Sequence, residues 1–126
     1  MATVLENLKY SKSHEWVEVL DNGNVRIGIT DFAQHELGDL VFVNLPEEGD
    51  EIAVGEAFAD VESVKAVSDV MSPVSGVVCA INEDLLDAPE SINADAFGAW
   101  FVEVENVSEE EELLDAAAYE AFCEEE

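Results

Sequence analysis

The residues able to do chemistry reduce to a single amine. Lys65 lies in Glu62-Ser63-Val64-Lys65-Ala66-Val67-Ser68-Asp69, between two strand-like stretches, where a hairpin tip belongs. A primary amine on a turn is suited to acylation, which removes its charge. An acylated lysine on a rigid tip is a long tether for a reactive group; the competing reading is a chance surface lysine. No nucleophile–base pair or phosphate loop accompanies it. His14 and His35 stand 21 residues apart, without the spacing of a metal site. Cys79, inside the apolar run 77–81, reads as a small core residue, and two cysteines make no disulfide framework.

The elements that must hold this lysine follow from the hydrophobic period. Segments 16–20 and 25–29 flank Asp21-Asn22-Gly23-Asn24, which predicts a hairpin. Asp31 with Gln34 predicts a capping box for a short helix over 32–37, stopped at Gly38. A strand over 40–45 ends at Pro46. Alternation over 57–62 places Ala57, Ala59 and Val61 on one face, and 67–71 and 77–81 follow across a turn at 72–76. A strand over 100–104 closes the β part. Ser108 with Glu111 predicts a helix over 109–122, with Leu113, Leu114, Ala117, Ala118, Ala121 and Phe122 as its apolar stripe. Glu124, Glu125 and Glu126 oppose the helix dipole and predict fraying. Gly55 and Gly76, 21 positions apart, hint at related halves around residue 65.

Composition narrows the setting. Against 31 Asp and Glu stand 4 Lys and Arg, a formal charge of −27 over 126 residues. That balance disfavours a phosphate backbone and an anionic membrane surface. No apolar run approaches the roughly 20 residues that span a bilayer, and the first dozen residues hold no signal-peptide core. With 48% of residues apolar or aromatic, the chain predicts a folded core rather than disorder. The evenly spread acids predict a cytoplasmic protein of a high-salt organism, where screening quenches self-repulsion. The alternative is an acidic decoy for a basic partner.

Glu62-Ser63-Val64-Lys65-Ala66-Val67-Ser68-Asp69-Val70-Met71-Ser72-Pro73-Val74-Ser75-Gly76 resembles the lipoylation region of the glycine cleavage system H proteins. Ser13-His14-Glu15-Trp16-Val17, Gly28-Ile29-Thr30-Asp31 and Gly38-Asp39-Leu40-Val41-Phe42-Val43 are similar to that family's amino-terminal blocks. Pro89-Glu90-Ser91-Ile92-Asn93, followed by Trp100, resembles its carboxy-terminal signature. The blocks run in order from about residue 8 to 123. Ala96-Phe97-Gly98-Ala99 departs from the family's Pro-Tyr stretch and is one residue shorter, which leaves that loop open.

The resemblance implies a mainly β fold, the lipoyl-domain barrel-sandwich hybrid, with a short helix after the first hairpin and C-terminal helices. Residues 1–126 form one lipoyl-carrier domain, of which 108–126 is a helical extension. Lys65 carries covalent lipoate, and the protein is a carrier without turnover of its own. It takes an aminomethyl group from glycine decarboxylase (P protein) to aminomethyltransferase (T protein), and dihydrolipoamide dehydrogenase (L protein) reoxidises it. Tethering raises the effective concentration of the group at each partner. A lipoate ligase or lipoyl transferase must load Lys65, with Glu62 and Ser63 beside it as recognition candidates. The loaded arm needs shelter from water; Ser13, Glu15 and Asp69 match the polar lining of the family's cleft. His14 is expected to pack beside Trp16, and Phe97 at the core or its edge, neither in catalysis. Rival readings are a biotin carrier, which places Met on both sides of its lysine where this chain has Val64 and Ala66, an H-like lipoyl scaffold for lipoate assembly or another pathway, and a cofactor-free acidic interaction protein.

Overall fold

The computed structural model describes residues 8–124. β1 (Lys9–Tyr10) and β2 (Glu15–Val19) pair antiparallel, and β2 pairs with β3 (Val25–Ile29) from Glu15↔Ile29 to Val19↔Val25. Gly23, at φ +89°, supplies the left-handed backbone that the β2–β3 turn requires. α1 (Asp31–Leu37) follows this hairpin, then β4 (Leu40–Asn44), β5 (Glu51–Ile52), β6 (Ala57–Ser63), β7 (Val67–Met71) and β8 (Val74–Ile81). Two single-turn helices, α2 (Asp84–Asp87) and α3 (Ser91–Ala94), lead to β9 (Val102–Glu110) and α4 (Ala116–Glu124). One sheet runs β1-β2-β3-β9-β8-β5 and the other β4-β6-β7.

Side chains alternate across a strand, so each sheet presents one apolar face to the other. Val17, Ile27, Val78 and Val104 meet Val43, Val61 and Val70 in the main core. The opposite face of β2 is covered too: Trp16, Tyr10, Ala116 and Tyr119 form a second cluster beneath α4, where the Tyr10 and Tyr119 rings stack at 4.6 Å. Gly28, opposite Trp16, leaves room for the indole, since a Cβ there would lie 2.6 Å from its ring.

The mainly β architecture and the helix after the first hairpin are as expected; several local readings are corrected. The helix predicted over 109–122, and with it the helical extension from 108, begins only at Ala116. Glu109 and Glu110 instead pair with Ser75 and Val74, so the non-local ladder wins over the Ser108–Glu111 capping pattern. The same pairing starts β8 at Val74 rather than 77. The buried residues of α4 are Ala116 and Tyr119, with Phe122 and Cys123 packed against them; Ala117, Ala118 and Ala121 are exposed. On β6 a bulge between Ala57 and Ala59 turns Phe58 and Val61 inward and leaves Ala57 exposed. Thr30, not Asp31, caps α1: its Oγ1 accepts from the Ala33 amide at 3.1 Å, while Asp31 accepts from the Gln34 side chain at 2.9 Å. Gly55 sits at φ +82°, whereas Gly76 lies where a Cβ would strike Val104 and the Glu105 carbonyl, so the two glycines do different work. Cys79 is only half-buried. Of the three acids on which fraying was expected, Glu124 is the last residue of α4, while Glu125 and Glu126 lie outside the described residues, as do residues 1–7 of the signal-peptide reading.

Candidate functional site

Lys65 stands on the turn that joins β6 to β7, exposed, as the hairpin reading placed it. The turn is closed by its own groups. The Ser63 amide donates to the Ala66 carbonyl at 2.8 Å, and Ser63 Oγ accepts from the amides of Lys65 and Ala66 at 3.2 and 3.0 Å. Ser63 therefore acts within the turn, holding the residues on either side of Val64 in place. Glu62 is exposed, paired across the sheet with Phe42 on one side and Val67 on the other. Phe42, Val64 and Val67 are themselves 49%, 70% and 67% exposed, so an apolar collar surrounds the acid near the tip. The lysine stem rests on Gly38 at the end of α1, whose missing Cβ would come within 3.3 Å of Lys65 Cε.

A second polar group forms where the β1–β2 turn meets β7. Strand geometry puts Glu15 on the Val17 side of β2, the core side, and only 2% of it is exposed. Its carboxylate accepts from Ser11 Oγ at 2.8 Å, from Ser13 Oγ, and from the Met71 amide at 3.4 Å. Burial pushes the carboxyl up from the ordinary 4.5 to about 7, against the opposing pull of the Ser13, Ser11 and Met71 hydrogen bonds. Protein interiors disfavour the charged form of an acid, and hydrogen bonds to that form only partly offset this. Ser13 and Glu15 are thus brought together. Asp69 is exposed on β7, two residues from Met71 on the same face, and its register partner is another acid, Asp60. Ser11 is a member that sequence reasoning missed. The turn between the strands folds Ser11 back onto Glu15, with the Ser11 amide donating to the Glu15 carbonyl at 2.9 Å, and only the serine at the start of the turn hinted at it.

His14 occupies the same turn at φ +71° and faces away from this group. Its Nδ1 lies 2.7 Å from Tyr119 Oη and its ring stacks on Phe32 at 4.7 Å, rather than on Trp16. Phe97 packs beside Trp16, with centroids 6.4 Å apart, and the shortened loop is anchored where Trp16 Nε1 donates to the Ala96 carbonyl. Among the described residues no three His, Cys, Asp or Glu are grouped to hold a metal ion.

Two sheets packed face to face, with a lysine at the tip of a hairpin in the smaller one, define a lipoyl-type barrel-sandwich domain. The family model for the glycine cleavage H-protein matches residues 8–126. The chain is 58% identical over 123 residues to a glycine cleavage system H protein of Lachnoclostridium phytofermentans, covering 98% of this chain and 97% of that one. It is 60% identical to one from Alkaliphilus oremlandii over 94% of each chain. The crystal structure of a glycine cleavage system H protein from Mycobacterium marinum superposes with a TM-score of 0.89 at 38% identity, covering 94% of this chain and 97% of that one. The chain belongs to the glycine cleavage H-protein family. Proteins of this family carry lipoate, bound covalently through a lysine, between the P, T and L proteins of the glycine cleavage system.

Proposed function

We propose that Lys65 is the lysine that takes the lipoyl group and that the chain is a carrier with no turnover of its own. The observation that carries this is the placement of Lys65: exposed, on a turn closed by Ser63 through the Lys65 and Ala66 amides and the Ala66 carbonyl. Arg26 pairs with Glu103, and no ion pair of the described residues involves Lys65, so acylation of Lys65 sacrifices none. Lipoate supplies a disulfide that can accept an aminomethyl group and a dithiol that can be reoxidised.

The rest falls to the protein's own side chains. Ser11, Ser13 and Glu15 form a sheltered polar cluster beside the Met71 end of β7, and Asp69 stands exposed farther along that strand, over a depression it shares with Asn44 and Asp60. A cationic amine entering there favours ionised Glu15, whose proton leaves Oε1 or Oε2 as the charge arrives. Near neutral pH that costs little, because the carboxyl is poised at about 7. The enzyme that attaches lipoate, a ligase or a lipoyl transferase, meets Glu62 and the Phe42, Val64 and Val67 collar. The acidic coat adapts the surface to concentrated salt. Exposed acids such as Asp21, Glu36, Glu48, Glu56, Asp84 and Glu109 are distributed over turns, helices and a strand along the whole chain.

Intact mass after expression in a lipoylating host tests the attachment. The chain should gain one lipoyl group, lost in Lys65→Ala; a gain that survives the substitution places the group elsewhere. Reconstitution with glycine decarboxylase, scored as bicarbonate exchange into glycine, tests the pathway: lipoylated protein without exchange would mean service to another lipoyl system.

A further inference from the structure

Asn93, on α3, is far from Lys65 in sequence, yet its side-chain amide is spent on the loop beneath the lysine. Its Nδ2 donates to the Gly38 carbonyl and to Gln34 Oε1, both at 2.9 Å. Its Oδ1 accepts from the Leu40 amide at 2.9 Å. Asn93 thereby brackets Asp39, holding the peptide groups on either side of it. The Leu40 amide and the Asp39 carbonyl belong to one peptide unit, and that carbonyl accepts from the Val64 amide at 3.0 Å. A hydrogen-bonded line therefore runs from Asn93 Oδ1 through the Asp39–Leu40 peptide to the residue before Lys65. A trans peptide is planar, with its N–H and C=O pointing oppositely, so fixing one end orients the other. Hydrogen bonds in such a chain also polarise one another. Gly38, held by the same side chain, is the surface on which the lysine stem lies.

We propose that Asn93 is a positioning residue for the Lys65 tip: it holds the Gly38–Leu40 loop so that the loop's one tip-facing carbonyl anchors Val64 and presents the lysine amine in a fixed pose to the enzyme that acylates it. The inference rests on the reading of Lys65 as the acylated residue. An asparagine is suited to the task because it donates twice and accepts once in one plane; Asp keeps the acceptor and loses both donors, and Leu keeps the size and loses all three.

The test compares the apo protein with Asn93→Asp and Asn93→Leu, using amide hydrogen exchange at Val64 and initial rates of lipoylation by a purified lipoate ligase. Asn93→Leu should exchange the Val64 amide about fivefold faster, as expected for loss of a bond worth about 1 kcal/mol, while amides in β2 and β3 stay protected. Its lipoylation kcat/KM should fall by about the same factor, chiefly through KM, with Asn93→Asp intermediate in both. If Asn93→Leu does not fold, Asn93→Asp alone carries the comparison. Unchanged Val64 exchange, or faster exchange with unchanged lipoylation kinetics, overturns the proposal. If wild-type protein is not lipoylated at Lys65 at all, the reading of Lys65 fails, and the exchange result still decides whether Asn93 holds the turn.

Discussion

The Glu15 carboxylate accepts a 2.8 Å hydrogen bond from Ser11 Oγ at the rim of the main core, where only 2% of the acid is exposed. A core-facing carboxyl in that position is held between two protonation states near neutrality. The folded form binds its proton up to a pH of about 7, against 4.5 for the ordinary group. Its contribution to stability is therefore complete below about 4.5 and is lost as pH rises through about 7, because over that window the folded state holds more protons. At about 1.4 kcal/mol per pH unit, the loss is about 3 kcal/mol. Glu15→Gln, which cannot ionise, should match the wild type at pH 4.5 and exceed it in stability at pH 8 by roughly that amount. Denaturant melts of both proteins at the two pH values check this; a difference that does not change with pH removes the assignment.

The Glu15 cluster and the exposed Asp69 farther along β7 predict an effect on the loaded carrier. Glu15→Ala and Asp69→Ala should leave lipoylation of Lys65 intact but shorten the lifetime of the aminomethyl-loaded protein. The larger effect should come from Glu15, which is sheltered, while Asp69 is exposed. Release of formaldehyde or ammonia over time measures that lifetime. Equal lifetimes in wild type and both variants would dissociate these acids from the arm.

Tyr119 fastens α4 to the sheet. Its hydroxyl lies 2.7 Å from both His14 Nδ1 and Thr30 Oγ1, the cap of α1. Tyr119→Phe keeps the stacking on Tyr10 and removes both bonds, and should cost about 1–3 kcal/mol. Thermal melting measures the loss; an unchanged midpoint would show that the ring alone docks the helix.

Salt should stabilise the fold. Raising NaCl from 0.1 to 1 M shortens the Debye length from about 10 to about 3 Å, which quenches repulsion among 31 acids opposed by 4 basic residues. Each kcal/mol gained raises the melting point by about 4 °C at this size, and a rise of at least about that much is expected. A flat or falling melting point over the range would leave the acids without a solvent role.

What could be read from sequence was local. Asp21 to Asn24 announced their turn, Gly38 announced the end of α1, and the stretch around Lys65 announced a tip. What escaped depended on partners distant in the chain. The acids at 109 and 110 look helical until Ser75 and Val74 are seen opposite them. The β6 face looked regular because one extra residue at Phe58 changes the alternation without changing the composition. Within the site, Ser13 and Glu15 were legible as neighbours, but Ser11 needed the turn and Asn93 needed the whole fold.

The position of β9 sets the timing of folding. It is the ninth strand in order, yet it lies between β3 and β8 in the middle of the six-stranded sheet. The first hairpin and the lysine hairpin are local and can form as they emerge from the ribosome. Within the six-stranded sheet, the β1-β2-β3 part and the β8-β5 part cannot be joined until residues 102–110 arrive. Such distant pairings slow folding relative to local ones, and they leave the edges of β3 and β8 uncovered in the interval. A dense negative charge keeps incomplete chains apart during that wait, so the acids that coat the finished surface also guard the unfinished one.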